Sequence, residues 1–186
     1  MARFGLAFAI VASIVFSSPG LVFAGSNGPS SFSYHIGDEF QQGFGFPAGD
    51  QASAPNGDAV KVIGTGTFDV ATKAARGGGT FTHFAPDGSV RASAHWNAAR
   101  LVDFQFYGCG GPQLPDTFCG GRANIAIDIT PDAAPGTHID GFVEIECLIG
   151  KFPAGAFEGI RLNIPGVIHF NKPIAESGVT LFIRTS

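Results

Sequence analysis

The sequence predicts an all-β protein, with an antiparallel barrel ahead of a β-sandwich, on three observations. Short segments rich in Val, Ile, Thr and Phe alternate apolar and polar residues at period two. Turn-forming clusters separate nearly all of them, drawn from the chain's 27 Gly and 12 Pro. No stretch carries apolar residues at a sustained helical period. Many short strands with frequent turns pack as a sandwich or close on themselves, and closure removes the edges that a long meander leaves exposed.

In chain order, Phe32 to Ile36 is short and aromatic enough for a first strand. Gly37 to Asp58 then turns to Gly, Pro, Gln, Asp and Asn, with Phe40, Phe44 and Phe46 interspersed. This region, 37–58, is expected to be an irregular loop, a feature that in a compact domain is functional or mobile. Its phenylalanines are expected to fold back as a plug on the core rather than to line an entrance, because Phe in a loop is more often buried than displayed. After the Asn56-Gly57 turn signal, strands are expected at Val60 to Asp69, Gly79 to Ala85, Ser89 to Ala98 and Leu101 to Tyr107. Further strands follow at Arg122 to Ile129, Ile139 to Ile149, Glu158 to Ile164, Val167 to Asn171 and Val179 to Arg184. Asn97 to Arg100 reads as a tight turn, Gly108 to Gly121 as a loop, and Gly77-Gly78-Gly79 as a bend or bulge at a sheet corner. The alternation is clean where Ile125, Ile127 and Ile129 oppose Asn124 and Asp128, and where Ile160 and Leu162 oppose Arg161 and Asn163. One face is therefore buried and the other wet, and the barrel expected is a meander of lipocalin-like or allene-oxide-cyclase-like form.

The chain opens on Met1, Ala2 and Arg3, runs uncharged from Phe4 to Phe16, is broken by Pro19-Gly20, and reaches small residues at Val22-Phe23-Ala24. This is the pattern of a cleavable signal peptide over 1–24, with cleavage expected after Ala24. A spanning helix needs about 20 continuous apolar residues. The interruption at Pro19-Gly20 therefore argues against an anchor, and no stable membrane insertion is expected after cleavage. The remainder, 25–186, is of a length for one β-domain, destined for secretion or the periplasm. Charged residues make up 14% of the chain while Phe occurs 19 times, which favours an apolar-cored body over disorder. With a net charge of −4 and 11 Lys and Arg spread singly, nothing resembles a phosphate-neutralising stripe, so nucleic acid is a poor partner.

There are three cysteines. The simplest pairing joins Cys109 to Cys119 and removes about 2 to 3 kcal/mol of unfolded-state freedom. Cys147 on a strand is then a buried, inert thiol, although its pairing with a loop cysteine stays open from sequence alone. No metal site is expected from them, since no C-x-x-C occurs.

Of the five histidines, His83 and His95 flank the Pro86-Asp87-Gly88 turn. A three-residue loop sets His83 opposite Arg91 and places His83, His95, Arg91 and Ser93 on one face, with Trp96 on the other. A register one residue different sends His83 to the Trp96 face. In the first register the two histidines stand roughly 13 Å apart along the strand, too far to share one ion. No His-x-His segment occurs, so a cupin metal site is rejected, and no cofactor is expected. Glu144 and Glu146 lie about 6.6 Å apart on one strand face, near a glycosidase separation, though neighbouring carboxylates are more often a wet face. Glu158 could pair with Arg161 or sit at a strand start. No nucleophile elbow, zincin motif or phosphate loop occurs.

The runs Gly64-Thr65-Gly66-Thr67-Phe68, Gly77 to His83, Tyr107-Gly108-Cys109-Gly110 and Glu158 to Leu162 resemble, in that order, a group of small exported bacterial β-rich proteins. The resemblance covers most of the chain from about Asn56 onward and implies a shared β fold. It carries over no activity and no catalytic residues.

The leading functional reading is a non-enzymatic exported domain that binds a small apolar molecule in a barrel mouth or between sheets. It rests on the surplus of Phe and the Phe-bearing segment that could act as a lid. Phe81, His83, His95 and Trp96 are the candidate contacts. The alternatives are an enzyme using His83, His95 or Glu158 in one concave site, and an extracellular interaction module presenting a strand edge. Composition leaves the oligomeric state open.

Overall fold

The computed structural model describes residues 30–185, so the leader expected over 1–24 and its cleavage after Ala24 lie outside the described residues. The elements run β1 (Ser31–Ile36), α1 (Glu39–Gln42), β2 (Asp50–Ser53), β3 (Ala59–Asp69), β4 (Ala75–Phe84) and β5 (Val90–Gly111). They continue with β6 (Leu114–Pro131), β7 (Ile139–Cys147), β8 (Gly159–Ile164), β9 (Ile168–Phe170), β10 (Lys172–Pro173) and β11 (Thr180–Arg184). The protein is all-β, in one antiparallel sheet whose path β3-β4-β5-β6-β11-β1 returns to β3 and closes a ring of strands.

Two long strands each share one edge between two neighbours. Along β3, β2 pairs with Ala59 to Val62 and β1 with Gly64 to Asp69. Along β6, β11 pairs with Phe118 and Cys119 while β7 takes Gly121 to Ile129. The sheet therefore forks twice. One branch closes the ring through β1 and β11; the other runs β7-β8-β9, with β2 and β10 lying against β8.

Period-two alternation decides what the ring encloses. Phe32 and Tyr34 of β1, Val62 and Phe68 of β3, Trp96 and Leu101 of β5, Ile125 of β6 and Phe182 of β11 are all buried. Phe104 sits 4.9 Å from Phe32, 4.9 Å from Phe68 and 5.4 Å from Phe182, ring centre to ring centre. The glycines of β3 and β4 make room for the largest ring. Gly64 and Gly79 pair with each other, and Gly79 also pairs with Trp96. A Cβ on Gly64 would overlap the Trp96 indole, and one on Gly79 would overlap the Ile63 carbonyl. The triple glycine thus lies inside a continuous strand as a site of close approach, where a sheet corner was expected.

The long strand β5 departs most from expectation. Asn97 to Arg100 is not a turn: β5 continues through it with register shifts at Ala98/Arg100, Leu101/Asp103, Phe106/Gly108 and Cys109/Gly111. Each of the first three shifts inserts one extra residue in β5, while the last, next to the hairpin tip, places the extra residues on β6. Three-residue steps therefore keep Ala98, Leu101 and Phe104 opposite Ile127, Ile125 and Ala123 on the same face. Strict alternation would send alternate members outward. Gly108 to Gly121 is likewise a strand hairpin whose tip lies between Gly111 and Leu114, with Cys109 directly opposite and bonded to Cys119. Cys147 is a free, buried thiol.

Region 37–58 is more ordered than an irregular loop. Asp38 caps α1 by accepting from the Gln41 N–H, and β2 pairs with both β3 and β10.

Candidate functional site

Where β7 ends and β11 begins, both against the same edge of β6, the backbone ladder is interrupted and N–H groups there need other partners. Glu158 supplies them, taking the Leu148 N–H on Oε2 at 2.7 Å and the Thr180 N–H on Oε1 at 3.1 Å. The Thr180 hydroxyl lies 2.8 Å from that same Oε1 and 2.7 Å from the Glu146 carbonyl oxygen, bridging the two strand ends. Asp50 does similar work at the neighbouring fork, accepting from the Gln51 N–H at 2.8 Å and the Ser177 hydroxyl at 2.6 Å. Burial raises the pKa of both carboxyls, and the charge of Asp50 adds a smaller upward push on Glu158. Burial, followed by the Glu158 charge, likewise holds the Cys147 thiol protonated.

Beside this seam opens a cavity of about 750 Å³. Its deep part is made by Gln41, Cys147, Thr180 and Leu181, all buried, with Glu158 beside them. Its mouth is made by residues that stay exposed: Phe44 at 62%, Phe46 at 45% and Leu114 at 41%. The segment after α1 therefore lines an entrance and does not plug the core. Capping holds α1 tightly, and Phe40, Phe44 and Phe118 meet edge to face at 5.2 to 6.5 Å, so the rings pack on one another above the opening. The opposite wall is the tip of the β5–β6 hairpin, which the Cys109–Cys119 bond closes.

A second, smaller recess of about 400 Å³ lies on the outer face of β6 to β9, where Asn124, Arg161, Asn163 and His169 stand beside Phe142, Leu162 and Phe170. Here Arg161 donates to Glu144 at 2.6 Å and to Glu146 at 3.1 Å, so the two carboxylates on one strand face share a guanidinium. The Tyr107 hydroxyl donates to Glu146 at 2.7 Å, and burial followed by that hydrogen bond pushes its pKa up to about 12. This is a satisfied ionic network.

Comparison with known proteins places the chain near nothing: no family model matches it, and no curated protein or solved structure is significantly similar. The site is therefore read from its own chemistry.

The structure brings Phe81, His83 and Trp96 to one face and leaves His95 on the other. The turn has Ala85 opposite Ser89, but a shift at His83/Phe84 makes His83 oppose Ala92 and Trp96 oppose Gly79. His83 is therefore on the Trp96 face, correcting the shared His83–His95 face expected from a plain three-residue loop; one extra residue reverses parity. Phe81 and Trp96 are buried in the core. His83 holds Asp58 at 2.8 Å and meets the Phe170 ring edge-on, whereas His95 is exposed beside Asp132. Glu158 is at the seam, so His83, His95 and Glu158 share no partner. Among the described residues no three His, Cys, Asp or Glu side chains come together as a metal site.

Sequence reasoning did not single out Gln41, Leu114, Phe118 or Leu181 as lining residues. The run Gly43-Phe44-Gly45-Phe46-Pro47 was an available signal, because glycines and proline deny its phenylalanines a strand in which to be buried. Nothing in the sequence sets it beside the hairpin tip.

Proposed function

We propose that this is an exported domain, secreted or periplasmic after cleavage at Ala24, that binds a small apolar molecule in the cavity beside the β7–β11 seam. The observation that carries the reading is the contrast between a ring filled by side chains and an adjacent, mostly apolar cavity in the volume range of small-molecule sites. The disulfide and the all-β fold are compatible with an oxidising compartment. A rim of exposed phenylalanine and leucine is also more apolar surface than a bare protein gains from displaying.

Native mass spectrometry of protein taken from an exporting host tests this, with the bound fraction extracted and identified. The expected result is an adduct lost on denaturation, together with saturable binding of the neutral fluorophore N-phenyl-1-naphthylamine that Leu114→Asp abolishes without unfolding the chain. Binding unaffected by Leu114→Asp, or no binding at all, overturns the cavity as the site.

A further inference from the structure

The polar groups of the cavity restrict the kind of molecule that fits it. None of its lining residues is Lys, Arg or His, so nothing in the wall can compensate a negative charge. Glu158 is instead an acid, and a second carboxyl, Asp50, packs against Gly159, its neighbour in the chain. An anionic head group here would lose its hydration, meet the Glu158 carboxyl and find no cation, with only the neutral Gln41, Gln113 and Thr180 side chains as polar company. Gln41 adds the second constraint. It is 2% exposed, lines the cavity, and its Oε1 has no hydrogen-bond partner among the described residues. Its backbone is held on both sides: its N–H donates to Asp38, and its carbonyl accepts from the Phe44 N–H at 3.0 Å. The side chain therefore starts from a fixed point, and rotation of its amide brings this acceptor without a donor to the cavity, where a ligand can fill the deficit.

Resting on the cavity as a binding site, we infer that its ligand is an amphiphile whose polar end donates hydrogen bonds and bears no negative charge. That end, an amine or an alcohol, seats at Gln41 and Glu158, and the apolar body lies under Phe44, Phe118 and Leu114. An alcohol donates its O–H to Gln41 Oε1. An amine does the same and, when protonated, also faces the Glu158 carboxylate. A fatty acid anion has neither option.

Three ten-carbon probes that differ only at the head, decylamine, decan-1-ol and decanoate, are competed against N-phenyl-1-naphthylamine on the purified protein near neutral pH. The amine and the alcohol are expected to displace the fluorophore at concentrations at least about tenfold below that needed for decanoate. Gln41→Leu keeps the volume but removes the acceptor, and is expected to weaken the amine and the alcohol about fivefold while leaving decanoate unchanged. Glu158→Gln is the second variant, expected to reduce the preference for amine over alcohol. Because Glu158 also holds strand ends, its reading is taken only from folded protein, and Gln41→Leu carries the test alone otherwise. Decanoate binding as tightly as the amine, or a Gln41→Leu protein with unchanged head-group preference, overturns the inference while the cavity stands. Failure of the fluorophore itself to bind overturns the cavity reading and the inference with it.

Discussion

Phe104 and Phe44 both belong to aromatic clusters, yet Phe104 lies within 5.4 Å of three other rings inside the ring of strands while Phe44 stands 62% exposed at the cavity mouth. The difference lies in the backbone beneath them. Phe104 sits on β5 opposite Ala123 of β6, so that ladder sets its direction, and the space before it is filled by Phe32, Phe68 and Phe182, which stand on strands of the same closed ring. Phe44 follows a four-residue helix beside the point where β7 hands the edge of β6 to β11. At such a fork no strand stands opposite to fill the space, and carboxyl groups replace the missing ladder. A sheet that closes fully gives a solid interior; where it splits, it leaves room.

The strongest challenge to this contrast is inside the ring. Trp96→Ala is expected to cost about 3 to 5 kcal/mol in urea unfolding, as for other large aromatic truncations in cores. Gly64→Ala, which drives a Cβ into the indole, is expected to cost about 1 to 3 kcal/mol. In the Trp96→Ala background it should cost clearly less, since the ring it would strike is gone. Equal costs in both backgrounds would mean that the glycines do not serve the Trp96 ring.

Opening the disulfide tests the boundary between the regions. Replacing Cys109 and Cys119 together by Ala is expected to lower stability by about 2 to 3 kcal/mol. It should also weaken fluorophore binding, because the hairpin tip forms one cavity wall. A loss of stability with undiminished binding would detach the tip from the site.

The forks also impose a pH dependence that the ring does not. Asp50 and Glu158 hold protons more tightly in the folded than in the unfolded chain. Their contribution is thus full below the ordinary carboxylate range near about pH 4 and is lost as pH rises through the native values. Asp69 acts in the opposite sense. Held down at about 2 by the Thr72 N–H and the Ser31 hydroxyl, it contributes above the ordinary range and ceases to as pH falls through its native value. Glu158→Gln should flatten the decline on the alkaline side in a pH series of denaturant midpoints; an unchanged slope assigns the decline elsewhere.

The smallest effects belong to the two side chains least tied to the frame. Gln41→Leu should raise stability by about 1 kcal/mol, because it removes a buried acceptor without a donor. His95→Ala, on an exposed outer position beside Asp132, should change stability by less than about 0.5 kcal/mol.

Much of the fold was legible because period-two alternation is local. The strands around Val60, Ile139 and Glu158 begin and end close to their expected bounds, whereas the one around Arg122 begins at Leu114, well before its expected start. The bulges of β5 were not legible. Ala98-Ala99-Arg100 carries no Gly or Pro, and whether it turns or bulges depends on β6, whose Ile127 and Ile125 must be met. The seam was illegible for the same reason. Glu158 reads as an ordinary residue at the start of a strand until Leu148 and Thr180 are brought to it from either side.

By itself the sequence determined that this chain makes short antiparallel strands with one apolar face, and that two cysteines in a Gly-rich stretch could pair. These properties depend on neighbours a few residues away. Only the tertiary structure decided that β3 and β6 would each divide an edge between two partners, that one extra residue would turn His83 inward, and that a cavity would open where the ladders part. Those outcomes depend on register between strands far apart in the chain, which local chemistry permits in several forms and packing reduces to one.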